Sequence, residues 1–345
     1  MSGNTLNREG AAPGLGARIA APAGTSARRD SRTPQFLLLA VIAIAIALPF
    51  YTSSYTTLQL TFVVIYAITL LGLNMLIGFN GQLSLGHGAF FGIGGYTAVI
   101  LITHAGFPYW ATLPFAAAIC LLSGFLFGLP ALRLEGHYLA LATFALALAT
   151  PQILKHPSLE RWTGLSMGVT ISPVPVPAGV PLTPDQYLYF FCLAIGLVMY
   201  LIGWNILRGR TGRALIALRD HPTAAATMGI NAAFYKSMTF GVSAMYAGLG
   251  GALAALTSAY VAPDSFDFFL SISFVVGIIV GGVATIPGAL FGAIFVQFVP
   301  NIAGDISKSA PWAVYGVTLI AFMYLMPDGI AGMLKKVYGI LAHRL

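Results

Sequence analysis

A chain of 345 residues that is 58% hydrophobic and 8% charged, with a mean hydropathy of +0.85, is not a soluble domain, in which about 25% of residues are charged. Its two cysteines, Cys120 and Cys192, each fall inside an apolar window with no ligand spacing around them, which excludes a disulfide framework or a thiolate metal site. The net charge of +7 would suit nucleic acid if the cations formed a face, but they collect in the connections between apolar segments.

In chain order, residues 1–34 are rich in Ala, Gly, Pro and Arg and lack hydrophobic periodicity. They are too long for the basic region of a signal peptide, so a disordered cytoplasmic tail is predicted, with a transit peptide as the alternative. Apolar windows then recur at 35–51, 58–78, 88–104, 110–132, 137–154, 186–207, 237–259, 270–284, 288–303 and 312–326. Each approaches the roughly 20 residues that an α-helix needs to cross hydrocarbon. The predicted fold is an all-α, polytopic transmembrane helix bundle of about ten spans (eight to ten) over residues 35–327. The windows from 88, 270 and 288 are short and glycine-broken, which suits bent, half-spanning or re-entrant helices.

Two connections stand out by length. Residues 155–185 carry Pro173, Pro175, Pro177, Pro181 and Pro184, which forbid a continuous helix and predict an extended external cap. Residues 208–236 form an Arg-rich polar run. In it Pro222 suits a first helical position and Gly229 a left-handed stop, so a short helix 222–228 should follow another over 211–220. Arg213, Arg219, Asp220 and His221 charge this body, while Leu215, Ile216, Leu218 and Met228 give it an apolar face. It suits a groove on a soluble partner, or equally a basic loop lying on anionic lipid. A short tail, 328–345, closes the chain.

Orientation follows from the cations, which are held back in cytoplasmic loops while acids count for little. With ten spans and the N-terminus inside, the cytoplasmic side holds Arg8, Arg18, Arg28, Arg29, Arg32, Arg133, Arg208, Arg210, Arg213, Arg219, Lys236, Lys335, Lys336 and Arg344. The other side keeps Lys155, Arg161 and Lys308, whereas the acids divide evenly. Aromatic residues near span ends, such as Trp110, Trp162, Trp204 and Tyr260, read as interfacial anchors. Small residues four apart, Gly88/Gly92, Gly277/Gly281, Gly288/Gly292 and Ala244/Gly248/Ala252, let helices approach closely. Gly81, Gly88, Ala89, Phe91 and Gly92 recur 200 positions on as Gly281, Gly288, Ala289, Phe291 and Gly292, an echo expected either of a transporter repeat or of glycine-rich segments aligning by chance.

No phosphate-loop motif occurs and none of the five lysines follows a glycine, so ATP hydrolysis by that route is excluded. Neither a His-Glu-x-x-His zinc motif nor a Gly-x-Ser-x-Gly elbow is present, and the acids map to tails, loops and span edges. An enzyme is not expected, nor a metal or any cofactor bound by this chain. Asn74, Asn80, Gln82, Ser84 and His87 lie on a glycine-broken segment, where uncharged polar groups could line a translocation path or merely hold a re-entrant turn together.

Residues 212–231 (GRALIALRDHPTAAATMGIN) resemble the coupling loop of inner-membrane permeases in branched-chain amino acid ABC importers, specifically the M-type subunit. Residues 72–96 (GLNMLIGFNGQLSLGHGAFFGIGGY) and 133–143 (RLEGHYLALAT) are similar to two further blocks of that family, in order, and the resemblance runs from about 58 to 332. There are departures: the family's Thr-Gly-Gly reads Thr163-Gly164-Leu165, and its Gly-Gly-x-Gly-Thr reads Gly281-Gly282-Val283-Ala284-Thr285.

The resemblance implies a multi-pass permease of the bacterial inner membrane with both termini cytoplasmic, importing leucine, isoleucine, valine or related neutral amino acids by alternating access. Implied partners are two cytoplasmic ABC ATPase subunits that hydrolyse ATP, a second permease subunit of the H type and an extracytoplasmic solute-binding protein. The implied ATPase-coupling residues are Gly212, Arg213, Arg219, Asp220, His221, Pro222, Ala224, Ala225, Gly229 and Asn231. A urea or short-amide permease of the same family and an uncoupled small-solute facilitator remain the alternatives.

Overall fold

The structure, a computed structural model, describes residues 43–342 apart from 133, 135, 178, 180, 307, 309 and 310. The chain divides into two units, residues 1–47 and 48–345. Of the first, residues 43–47 are described and are helical. The expected tail 1–34, most of the first expected span, and Arg133, Glu135 and Arg344 lie outside the described residues.

The second unit is built from helices. They are α1 (Ser54–Asn74), extended by a π-helical turn Met75–Phe79, α2 (His87–Ala105), α3 (Tyr109–Ala131), α4 (His137–Leu154) and α5 (Pro184–Arg208). Then come the short α6 (Arg210–Asp220) and α7 (Pro222–Thr227), the long α8 (Ala232–Ser258), and α9 (Phe268–Gly281), α10 (Gly288–Ile306), α11 (Pro311–Leu325) and α12 (Gly329–Ala342). Nine helical segments among the described residues are long and apolar enough to cross a membrane, one for each expected window after the first. The windows from 88 and 288 form continuous 19-residue helices, about 28 Å long and not half-length, and Pro300 lies inside the second. Most of their glycines meet neighbouring elements, and a continuous helix pairs the backbone groups that hydrocarbon would leave unsatisfied, except at Pro300, which has no N–H to donate. α9 has 14 residues, about 21 Å, and the 3-10 turn Pro263–Phe266 precedes it.

α8 is the axis of the bundle, buried along most of its length and packed against α1, α2 and α3. Lipid supplies no hydrophobic drive between helices, so close backbone approach has to hold them. A Cβ at Gly94 would overlap the Gly248 backbone, one at Gly251 the Phe91 carbonyl, and one at Gly248 the Cys120 sulfur. Between α9 and α10, a Cβ at Gly281 would overlap the Gly288 carbonyl and one at Gly292 that of Gly277. Cys120 and Cys192 are free and fully buried.

Polar contacts sort the connections into two ends. At one end, His104 Nε2 bonds the Arg161 carbonyl at 2.9 Å and Lys155 pairs with Asp264. Two-residue strands β1 (Val169–Thr170) and β2 (Tyr260–Val261) pair antiparallel there. The long 155–183 connection is thereby tied to the 259–267 turn, with helical turns in its first half and irregular backbone through the prolines 173–177. The opposite end gathers residues 80–86, the link 282–287, the α6–α7 excursion and the start of α12, where Gly329 abuts Gly282. Both copies of the 200-residue echo fall on a break that leads into a 19-residue helix, at 87 and at 288.

Candidate functional site

The polar run folds as the pattern of Pro222 and Gly229 requires. Pro222 opens α7, where its missing N–H costs nothing. Gly229, at φ +81°, closes it: Ile230 N donates to Ala225 O (3.1 Å) and Gly229 N to Ala226 O (3.0 Å), the paired bonds of a Schellman cap. Asn231 then caps α8 by accepting from Phe234 N at 3.1 Å. Gly212 admits no side chain because the Leu207 backbone lies against it. The apolar face divides in an unexpected way. Leu215 and Leu218 are 1% and 2% exposed, packed within this chain, whereas Met228 is 85% exposed. Leu215 and Leu218 thus anchor the pair to the bundle, and the face open to a partner comprises Met228, His221, Pro222 and Ala224, while Ala225 is buried. Arg213 is exposed beside it.

Arg219 joins this body to the first broken span. Its Nη1 donates to the Gly78 carbonyl at 2.7 Å and its Nε to Asp220 Oδ1 at 2.9 Å. The guanidinium holds the Asp220 carboxyl below its usual range. Gly78 belongs to the π-helical turn, and the helix ends just beyond it with Asn80 N on Met75 O and Gln82 N on Leu76 O. Gly81 there takes the left-handed conformation, φ +72°, a Schellman-like end widened by the π turn.

The first break is fastened to the second. Asn74 Nδ2 donates to Thr285 O (2.8 Å), and Asn74 Oδ1 accepts from Ala284 N (2.9 Å). Gly78 lies so close that a Cβ would overlap both Asn74 Oδ1 and Ala284 N. Farther in, Ser243 Oγ donates to Gly72 O (2.7 Å), which leaves its oxygen to accept from His87 Nε2 (2.6 Å). His87 Nδ1 in turn shares a hydrogen bond with Ser84 Oγ (3.0 Å). Because Ser243 already donates to Gly72 O, Nε2 is the donor of its pair, and in the neutral imidazole the proton then sits on Nε2. Thr143 of α4 accepts from Leu85 N (2.9 Å), and Ser271 of α9 from Gly88 N (2.9 Å).

All five residues expected on a path are therefore brought together, and all are buried, from 0% exposed for Ser84 and His87 to 7% for Gln82. Asn74, Ser84 and His87 spend their polar atoms on intrachain bonds. Asn80 Nδ2 donates to Gln82 Oε1 at 3.0 Å, while Asn80 Oδ1 is buried with no partner among the described residues. Of their two readings, holding the turn together is the one that the bonds of Asn74, Ser84 and His87 support. Ser243, Ser271, Thr143 and Thr285 complete the network, and sequence reasoning missed them. Ser243 adjoins the Ala244/Gly248/Ala252 face, a signal for close packing and not for polar contact. The two departures from the family pattern, Leu165 (φ +51°) and Ala284 (φ +57°), both hold the left-handed conformation that glycine adopts without strain.

The family model for the permease component of branched-chain amino acid transport systems matches residues 55–326. The chain belongs to that family. It is similar to the high-affinity branched-chain amino acid transport system permease protein LivM of Escherichia coli K12, at 30% identity over 87% of this chain and 76% of that one. It is 26% identical to BraD, a permease protein of the same kind from Pseudomonas aeruginosa, over 77% of this chain and 91% of that one. A solved structure, PsaBC from Streptococcus pneumoniae in complex with Fab, shares 14% identity at a TM-score of 0.39, covering 82% of this chain and 94% of that one; so loose an overlay carries no argument. The protein is a LivM-like, multi-pass membrane permease that acts with other transporter subunits, and α6–α7 is the part of the permease that resembles the family's coupling loop.

Proposed function

We propose that this permease forms half of the membrane pathway of an ABC importer for leucine, isoleucine and valine, with both termini cytoplasmic in a bacterial inner membrane. The observation that carries this reading is the α6–α7 body. It is a pair of short helices with defined caps, anchored by Leu215 and Leu218, presenting Met228 outward at the end where Arg208, Arg210, Arg213, Arg219, Lys236, Lys335 and Lys336 lie. A helix pair so anchored can pass on a push that a floppy basic loop would absorb. In this reading two ATPases, which bind and hydrolyse ATP, dock on that face. A second permease subunit completes the path. A binding protein delivers the amino acid to the platform formed by 155–183 and the Pro263–Phe266 turn. Alternating access follows when ATP-driven closure of the ATPases moves the coupling loop.

The test is uptake of radiolabelled leucine by cells expressing the full transporter with either the unaltered permease or Met228→Asp, which places a charge at the centre of the exposed face. The expected result is normal membrane insertion, loss of the ATPases on co-purification and loss of uptake. Leucine uptake that survives both Met228→Asp and ATP depletion would mean an uncoupled facilitator. Uptake of urea or short amides in place of leucine by the intact transporter would keep the machine and change its cargo.

A further inference from the structure

We infer that Arg219 is the transmission contact of this permease: its bond to the Gly78 carbonyl conveys displacement of α6–α7 to the broken end of α1, and through Asn74 to the 282–287 link. The inference rests on the coupling role proposed above and goes beyond it by naming where the force leaves the loop. Gly78 O lies in the last turn of a helix that stops at Phe79, where the final carbonyls have no N–H ahead of them in the helix. Arg219 supplies the donor from another element, at 2.7 Å. A cation is favoured at that pole of a helix as well, so Arg219 acts as a C-cap delivered by the coupling loop.

Three features make this contact more than a surface ion pair. Gly81 stands against the Arg219 side chain, and a Cβ there would come to 2.8 Å from Arg219 Cγ. The aliphatic stem is thus seated on the break while its head bonds Gly78. The turn that Arg219 grips is π-helical, a rare form that occurs mostly as single turns within α-helices and frequently at functional sites. Gly78 also abuts Asn74 Oδ1 and Ala284 N, so a shift of its carbonyl bears on the amide that fastens the two breaks together. By contrast the Arg219–Asp220 pair is largely exposed, with side chains 33% and 49% accessible, and such pairs contribute little. The contact with Gly78 is the specific one.

The experiment is reconstitution of the complete transporter in liposomes, with leucine uptake and ATP hydrolysis measured on the same preparation for unaltered protein, Arg219→Ala, Arg219→Lys and Gly81→Ala. A charged hydrogen bond of ordinary strength corresponds to about tenfold or more. The expected result for Arg219→Ala is retained assembly and hydrolysis, with leucine moved per ATP reduced about tenfold. Arg219→Lys should recover part of that ratio, because an ammonium can still donate to a carbonyl. Gly81→Ala, which pushes the Arg219 stem off the break and so draws the guanidinium away from Gly78 O without removing its charge, should lower the ratio as Arg219→Ala does, and it supplies the measurement if Arg219→Ala fails to insert. Gly81→Ala combined with Arg219→Ala separates this from the strain of an Ala at φ +72°, since the pair should then fall no further than Arg219→Ala alone. An unchanged ratio in Arg219→Ala overturns the inference, as does parallel loss of assembly and hydrolysis in both Arg219→Ala and Gly81→Ala, which would make Arg219 a docking residue. Failure of the coupling role itself is distinguishable, because the unaltered protein would then neither retain the ATPases nor couple uptake to ATP.

Discussion

Asn74 spends both ends of its amide on the 282–287 link. Replacing it with Ala leaves the Ala284 N–H and the Thr285 C=O without partners in a part-buried position, a loss of about 1–3 kcal/mol. We expect Asn74→Ala to lower the melting temperature of the detergent-purified transporter, whereas a residue that merely lined a path would change uptake and leave stability alone. Ala284 points the other way. At φ +57° its Cβ costs about 1–2 kcal/mol, of which the greater unfolded-state freedom of glycine takes back about 0.5–1. Ala284→Gly should therefore raise the melting temperature slightly, and a decrease would show that the Ala284 methyl packs better than its backbone angle suggests. The Asp220 carboxyl is depressed by Arg219, so whatever the pair contributes is present above the ordinary carboxylate value and is lost as pH falls through the depressed one. A titration of leucine uptake between about pH 5 and 8 should show no step from this pair.

At the scale of elements, the spans rest on backbone contact where small residues meet. Gly251→Ala would drive a methyl into the Phe91 carbonyl in the α2–α8 contact, whereas a Cβ at Gly316 of α11 meets nothing within 4 Å among the described residues. We expect Gly251→Ala to abolish accumulation of folded protein in the membrane. Gly316→Ala should be neutral or gain up to about 1 kcal/mol of helix propensity, and equal expression of the two variants would refute packing through small residues. The same comparison explains what could be read in advance. Each span from α1 to α11 was legible because about 20 apolar residues in a row have few other fates, and the α6–α7 pair because Pro222 and Gly229 are local signals that need no partner. The bond of Asn74 to Thr285 spans 211 positions, and that of His87 to Ser243 spans 156. No periodicity encodes such distances, so the five polar residues could be located on a broken segment but not assigned partners. Leu215 and Leu218 misled for a related reason. An amphipathic stripe shows that a face is covered without showing by what, and here the chain's own bundle covers it.

For the whole molecule, the distribution of charge across the two ends makes a topological claim that chemistry can check. Among the described residues, the end that carries α6–α7 holds Arg208, Arg210, Arg213, Arg219, Lys236, Lys335 and Lys336, and the opposite end holds Lys155, Arg161 and Lys308. Cations are retained on the cytoplasmic side during insertion, so α6–α7 should face the cytoplasm. Each end offers a well exposed methionine: Met228 is 85% exposed and Met167 is 87% exposed. Cys120 and Cys192 are both at 0%, and thiols so enclosed are inert to polar reagents, so the native cysteines need not be removed. In whole cells with the outer membrane permeabilised, a membrane-impermeant maleimide should label Met167→Cys at once. Met228→Cys should react only after the inner membrane is opened, and more slowly when the ATPases are co-expressed than when they are absent. Labelling in the reverse order would invert the topology and remove α6–α7 from any contact with ATP-hydrolysing subunits. The expected order without protection by the ATPases would leave the topology standing and move their docking face away from Met228, toward Arg213 or α12.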